Sequence, residues 1–186
     1  KAGLDVYHAG AIGQDGQFLL DILRAEKVNV DYVKCLDEIR TGHAIIQNDV
    51  EGDNCILLFK GANHCITREQ IDETLANFST GDALVLQNEI NELEYLSQQA
   101  KAKGMIIALN PSPMDENLLS VIPYADYLLL NEIEAGQLLG EQSDDFEATA
   151  RALLSRYPNA NILMTLGSKG SIFVNKDNFA RQGIIP

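Results

Sequence analysis

Polar residues able to hold a small ligand recur where apolar runs end in this sequence. Gln87-Asn88-Glu89 follows Asp82 to Leu86, and Asn110 follows Met105 to Leu109. Asn131 and Glu134 follow Tyr127 to Leu130, and Thr165 stands just ahead of Gly167-Ser168-Lys169-Gly170. Carboxylate and amide oxygens accept hydrogen bonds from hydroxyl groups, whereas phosphates require backbone N–H groups and a metal ion. Asn131 and Glu134 carry two readings. Asn131 stands at a helix N-cap with Glu134 three residues on, a pair that can satisfy backbone N–H groups reciprocally as a capping box. The same place lies beyond the carboxyl end of a strand, where open parallel α/β sheets bind ligands and helix N-termini attract anions. A carboxylate there repels a phosphate unless a metal ion or water lies between them. Glu89, Asn110 and Thr165 have plain readings too: a solvated loop charge, a turn residue before Pro111 and a strand-end hydroxyl. What favours a site is that together they would line one edge of a sheet.

That convergence requires the apolar runs to be neighbouring parallel strands. Tyr127 to Leu130 shows four apolar positions without alternation, which suits a strand buried on both faces. Earlier, Val6 to Ala9 reads as a short strand and Gly10-Ala11-Ile12-Gly13-Gln14-Asp15-Gly16 as a turn into a helix carrying Phe18, Leu19, Ile22 and Leu23 on one face. The glycine spacing, G-x-x-G-x-x-G, is not the dinucleotide fingerprint, and a tight turn accounts for it. Between Thr41 and Phe59 two apolar runs, Ala44-Ile45-Ile46 and Cys55 to Phe59, flank the turn-forming residues 48–54, which predicts a hairpin outside the main sheet. Such a hairpin serves as a flap over a site or as a surface for a second subunit, because alone it is only marginally stable, and the plain alternative is an antiparallel edge extension of the sheet. From Gly61 onward strands and helices alternate. Thr67 and Gln70 form a capping box for a helix presenting Ile71, Leu75 and Phe78, and Asn91 caps a helix that ends at Gly104. A helix over residues 144–157, a strand over Ile162 to Leu166, a turn at Gly167 to Gly170 and a strand over Ser171 to Val174 follow. The alternation predicts an α/β fold: a doubly wound, mainly parallel sheet with a small β-hairpin beside it.

Composition bounds the function. Hydrophobic residues make up 46% of 186, enough for one folded domain with a sizeable core. A formal charge of −13 excludes nucleic acid and anionic membranes as natural partners, while small anions held by local N–H groups remain accessible. Three cysteines without C-x-x-C spacing suggest neither a disulfide framework nor a structural zinc site, and reduced core thiols fit a cytoplasmic protein. No apolar run reaches membrane-spanning length. The opening Lys1-Ala2-Gly3 includes no initiator Met and runs straight into a strand, as an internal piece of something longer would.

The ordered motifs resemble the ribokinase-like carbohydrate kinases over nearly the whole chain. They are Gly10 to Gly16, Thr41-Gly42-His43-Ala44, Gly52-Asp53-Asn54, Gly61-Ala62-Asn63, Gln87-Asn88-Glu89, Leu109 to Pro113, Asn131-Glu132-Ile133-Glu134 and Thr165 to Gly170. Each is weak alone and the ordered set is specific. The resemblance implies transfer of the γ-phosphoryl group of ATP to a sugar hydroxyl with Mg2+, and a monovalent cation such as K+ as a further cofactor. It makes the hairpin, residues 41–63, a lid with Ala44 and Ile46 facing the sugar, and Glu89 an acceptor for a sugar hydroxyl. Asn131 and Glu134 match the family's N-x-x-E motif, Glu134 serving magnesium and its waters. Thr165, Gly167, Ser168 and Gly170 match its nucleotide-binding turn. Lids of this kind clasp one another, which implies a homodimer.

Two family segments find no match. The sugar-binding Gly-Gly-Lys-Gly-Ala-Asn would precede Lys1, and Gly-Ala-Gly-Asp, with the anion hole and the catalytic base, would follow Pro186. The expectation is a single domain incomplete at both ends, with no catalytic base of its own. Asp15 belongs to the early glycine turn and Asp126 starts a strand away from the carboxyl edge, so neither replaces the missing carboxylate. A kinase of a nucleoside or vitamin alcohol, and a degenerate sugar-binding protein, are the alternatives on the same scaffold.

Overall fold

The computed structural model describes residues 3–48 and 54–184, so the hairpin tip at 49–53, with most of the Gly52-Asp53-Asn54 motif, lies outside the described residues. Two compact units emerge, Lys1–Thr74 with Glu89–Glu92, and Leu75–Asn88 with Leu93–Pro186.

In the first unit, β1 (Tyr7–Gly13) pairs in parallel with β2 (Asn29–Leu36), and α1 (Gln17–Ala25) connects them. Gly10 to Gly13 are strand rather than turn, because β2, which was not read from the sequence, gives Gly10 to Gly13 partners from Val33 to Leu36. The turn shrinks to Gln14–Gly16. Helix α1 rests on this ladder through Leu20 and Leu23, which join Ile12, Val30 and Val33 in a small core. Phe18, Leu19 and Ile22 are exposed, so the apolar face expected of the helix is rotated away from where its core lies. Next, β3 (His43–Asn48) and β4 (Asn54–Phe59) form a separate antiparallel ladder, the expected hairpin.

Helix α2 (Arg68–Leu75) begins after Thr67, whose hydroxyl accepts from the N–H of Gln70 at 3.2 Å. The other half of the expected capping box is different: the buried Gln70 donates its amide to the carbonyl of Gly10 at 2.7 Å, tying α2 to β1. Asn91 is no cap either. Its side chain accepts from Ile66 N–H at 3.1 Å and donates to Ile66 C=O at 2.8 Å, pairing with a backbone 25 residues earlier.

The second unit holds a six-stranded sheet in the order β10-β9-β8-β7-β6-β5. Strands β5 (Ala83–Leu86), β6 (Ile106–Leu109), β7 (Tyr127–Asn131) and β8 (Asn161–Thr165) are parallel, while β9 (Ser171–Val174) pairs antiparallel with both β8 and β10 (Phe179–Gln182). Helices α3 (Leu93–Ala102), α4 (Glu132–Leu139) and α5 (Phe146–Arg156) connect and cover it. This is the expected mainly parallel α/β fold. Register aligns Leu86, Leu109, Leu128, Ile162 and Val174 across five strands, and all are buried.

The expectation that β7 is buried on both faces is overturned. Leu128 and Leu130 are sealed, but on the other face Tyr127 is exposed and Leu129 half-buried, and Ile106 and Val85 of the neighbouring strands are exposed, the last 73%. The physical reason is coverage: α3 and α5 bury Leu96, Ala100, Ala150 and Leu153 against one face, and no described element of this unit covers the other. No helix among the described residues is long and apolar enough to cross a membrane.

Candidate functional site

The polar strand ends of the second unit do share an edge. Because β5 to β8 are parallel neighbours, Gln87 and Asn88, Asn110, Asn131 and Thr165 all sit at carboxyl ends of one sheet. The first two ends are tied structurally. Asn88 donates to Pro113 C=O at 2.8 Å and to the Asp115 carboxylate at 2.9 Å, and Gln87 reaches Asn110 at 3.4 Å. The Asn88 amide is the main reason that Asp115 is held below the usual carboxylate range, against an opposing effect of burial, with Asn117 and Leu118 adding to the lowering. The sequence reading passed over Asp115, although Asp115-Glu116-Asn117 at the start of a helical turn is a recognisable cap signal.

Asn131 and Thr165 are register partners, and Thr165 pairs in turn with Ser171, so three hydroxyl or amide side chains cross the edge in a row. Asn131 caps α4 by accepting from Ile133 N–H at 2.9 Å and Glu134 N–H at 2.8 Å. Glu134 returns the bond, its Oε2 accepting from Asn131 N–H at 2.9 Å. The capping box is therefore real, and Gly140 closes the helix at φ +83°. Capping alone does not require what else is observed: Glu134 is only 8% exposed, so a carboxylate is kept nearly buried beneath a helix N-terminus. One oxygen is committed to the cap. Among the described residues no cluster of three His, Cys, Asp or Glu could cage an ion. A single buried carboxylate suits magnesium, which keeps several waters and takes most of its ligands from phosphates.

After β8 the chain makes a tight turn at Gly167–Lys169. Leu166 N–H donates to Gly170 C=O at 2.8 Å and Lys169 N–H to Leu166 C=O at 2.9 Å, which fixes the turn from inside. Gly167 takes φ +52° and a side chain on it would point into open space. Gly170 has φ +93° and lies against β10, where an added Cβ would meet the Gln182 carbonyl oxygen at 1.9 Å. Ser168 is exposed at the tip of this turn.

The remaining residues lie in the first unit. Ala44 and Ile46 share a face of the hairpin with their partners Leu58 and Ile56, and all four are exposed. Glu89 is an exposed turn residue close enough to His64 to favour its protonated form. Burial first and Lys60 second outweigh that effect and hold the His64 imidazole below its ordinary value. His64 escaped the sequence reading because nothing local distinguishes it. Asp15 and Asp126 both have structural partners, Asp15 with Thr41 and Asp126 with Lys101 and Ile107 N–H.

A family model described as pfkB family carbohydrate kinase matches residues 1–186. A ribokinase of Schizosaccharomyces pombe is 33% identical over 173 residues, covering 88% of this chain and 54% of that protein. A deoxyribokinase of Salmonella typhi is 31% identical over 157 residues, covering 81% and 51%. The structure of Arabidopsis thaliana ribokinase complexed with ribose and ATP superimposes with a TM-score of 0.82 at 27% identity, over 98% of this chain and 62% of that one. The chain thus spans about half the length of the curated relatives it matches.

Proposed function

Since the chain belongs to the pfkB family of carbohydrate kinases, we propose that it is part of an ATP-dependent kinase that phosphorylates a hydroxyl of ribose or a closely related sugar. The observation that carries this reading is the shared carboxyl edge. A buried carboxylate in a helix cap, a strand-end threonine and a glycine turn stand side by side on neighbouring parallel strands. Phosphoryl transfer depends on positioning and charge stabilisation more than on covalent chemistry, and this edge offers both. Asn131, Thr165, Gly167, Ser168 and Gly170 bind the nucleotide, with Gly167 leaving room for it. Glu134 holds magnesium through water, and the metal neutralises charge on the phosphates. K+ is the monovalent cation that the family likeness adds.

In the first unit, residues 41–63 act as a lid inserted in a single kinase domain. Ala44 and Ile46 supply its apolar underside and Glu89 accepts from a sugar hydroxyl. The names of the relatives support ribose or deoxyribose as substrate. The same reading makes the protein a cytoplasmic homodimer joined through the lid.

The test is ADP release by the complete protein with ribose, deoxyribose, fructose and nucleosides. Release with ribose or deoxyribose above the others is expected. Release only with a nucleoside, or none with any sugar while ATP binds, would overturn the assignment.

A further inference from the structure

The root of the hairpin is built as a clasp that neither the sugar site nor the nucleotide site uses. Where the chain enters, Thr41 is buried. Its hydroxyl accepts from Gly13 N–H at 2.9 Å and donates to Asp15 Oδ1 at 2.8 Å, and that oxygen also accepts from Thr41 N–H at 2.9 Å. The other Asp15 oxygen faces Arg40 at 3.3 Å. Thr41 is therefore held at both its backbone and its side chain by the turn between β1 and α1.

Where the chain leaves, Ala62 N–H donates to Arg40 C=O at 2.9 Å, so the two strands of the hairpin meet at one point. The glycines there allow backbone to touch backbone. A Cβ on Gly42 would lie 2.7 Å from the Lys60 carbonyl oxygen, and one on Gly61, at φ +47°, 2.4 Å from that of Arg40. On the turn itself, a Cβ on Gly13 would lie 2.2 Å from the Ile39 carbonyl oxygen and one on Gly16 2.4 Å from the Thr41 hydroxyl. Just above the clasp His43 sets Nδ1 3.1 Å from the Thr41 carbonyl oxygen and packs its ring 5.0 Å from Phe59. Beyond these contacts residues 43–48 and 55–59, on both faces of the hairpin, are exposed.

We propose that Asp15 and Thr41 are positioning residues for the sugar: their clasp sets the angle at which the hairpin leaves β1, and so the height of Ala44 and Ile46 over the substrate. The inference rests on the reading of the hairpin as a sugar lid. Lever arithmetic supports it. Ile46 lies five residues from Thr41, about 16 Å at strand rise, so a tilt of about 10° at the root moves it by about 3 Å. A shift of that size exceeds the tolerance of a packed contact. A charged acceptor that takes both an N–H and an O–H from one residue suits a fixed pivot better than an entropic loop does.

The experiment compares the complete unaltered protein with Thr41→Val, Thr41→Ser and Asp15→Asn, by amide hydrogen exchange and by steady-state kinetics. Ribose should slow exchange in residues 43–48 and 54–59 of the unaltered protein. Thr41→Val should speed exchange there about tenfold without ligand and raise the ribose KM about tenfold, leaving the ATP KM within about twofold. Thr41→Ser should restore both readings. If Thr41→Val does not fold, Asp15→Asn, which keeps an acceptor and loses the charge, should show the same pattern in smaller measure. Absence of protection by ribose in the unaltered protein would sink the lid reading and this inference with it. Protection by ribose combined with unchanged hairpin exchange and ribose KM in the variants would overturn the clasp alone. Faster exchange spread equally over β1, β2 and the hairpin would reduce it to a stabilising contact and also overturn it.

Discussion

At the scale of single residues, Glu134 combines two tasks that a substitution can separate. Glu134→Gln preserves the capping box, because a glutamine oxygen also accepts from Asn131 N–H, so thermal stability should move by less than about 0.5 kcal/mol. The same change removes a formal charge beside the proposed magnesium and should raise the Mg2+ concentration needed for half-maximal activity about tenfold. A magnesium titration unchanged by the substitution would return Glu134 to the cap alone. Glu89 is simpler. It is exposed in the structure, so the hydrogen bond proposed between it and a sugar hydroxyl would compete with water. Glu89→Gln should weaken ribose binding about tenfold, toward the lower end for a charge-assisted bond. Calorimetry with ribose decides it, and an unaltered affinity would remove Glu89 from the sugar site.

The hairpin is the element whose design invites a second copy. Ile45 and Leu57 stand exposed on one face, Ile46 and Ile56 on the other, with Leu58 and Phe59 continuing both. An isolated two-stranded ladder is marginal, and unpaired edges attract other strands. Ile56→Glu should convert a dimer to monomers, read by sedimentation; a monomeric unaltered protein at micromolar concentration would refute the lid-to-lid contact. The element's root also predicts a pH dependence. Hydrogen bonds from Thr41 N–H and then the Thr41 hydroxyl, with a smaller contribution from Arg40, hold the Asp15 carboxyl below its ordinary value. A lowered carboxyl stabilises the fold above its unfolded value and loses that contribution as pH falls through the folded one. Hairpin exchange, corrected for its intrinsic pH dependence, should therefore be level from neutral pH down to about 4 and accelerate below it. Acceleration beginning well above that range would overturn the assignment to Asp15.

At the scale of the molecule, the second unit is held by a row of side chains crossing five strands. Leu128 occupies its centre with no exposure at all, between Leu109 and Ile162. Leu128→Ala removes three carbons and leaves a cavity, which should cost about 2–5 kcal/mol and lower the Tm of that unit by roughly 4–20 °C. Val85→Ala, on the opposite, open face of β5, should cost well under 1 kcal/mol. Equal losses in the two variants would show that the open face is covered in solution. The large negative charge adds a condition to the proposed function: an anionic nucleotide would have to be received locally, by N–H groups and metal, against the overall field.

Capping, turn and hairpin chemistry works within a few residues, and where no distant partner intervenes the sequence alone was sufficient. It determined the Asn131–Glu134 box, the Gly104 helix end, the Gly167 to Gly170 turn and the β3–β4 hairpin, because each is settled by side-chain oxygens and backbone angles close along the chain. It also determined the order of the motifs, and with that the family. Tertiary structure decided whatever depends on a distant partner. Strand β2 and the extension of β1 to Gly13 follow from pairing across about 22 residues, and Asn91 abandons its helix for Ile66. Gln70 turns to Gly10, 60 residues away, and Asp15 waits for Thr41. One face of β7 carries Leu128 and Leu130 and the other Tyr127 and Leu129, all of them apolar or aromatic, so composition could not tell the covered face from the open one. Only the placement of α3 and α5 against the sheet distinguishes them, since burial is a property of what lies opposite and not of the strand itself.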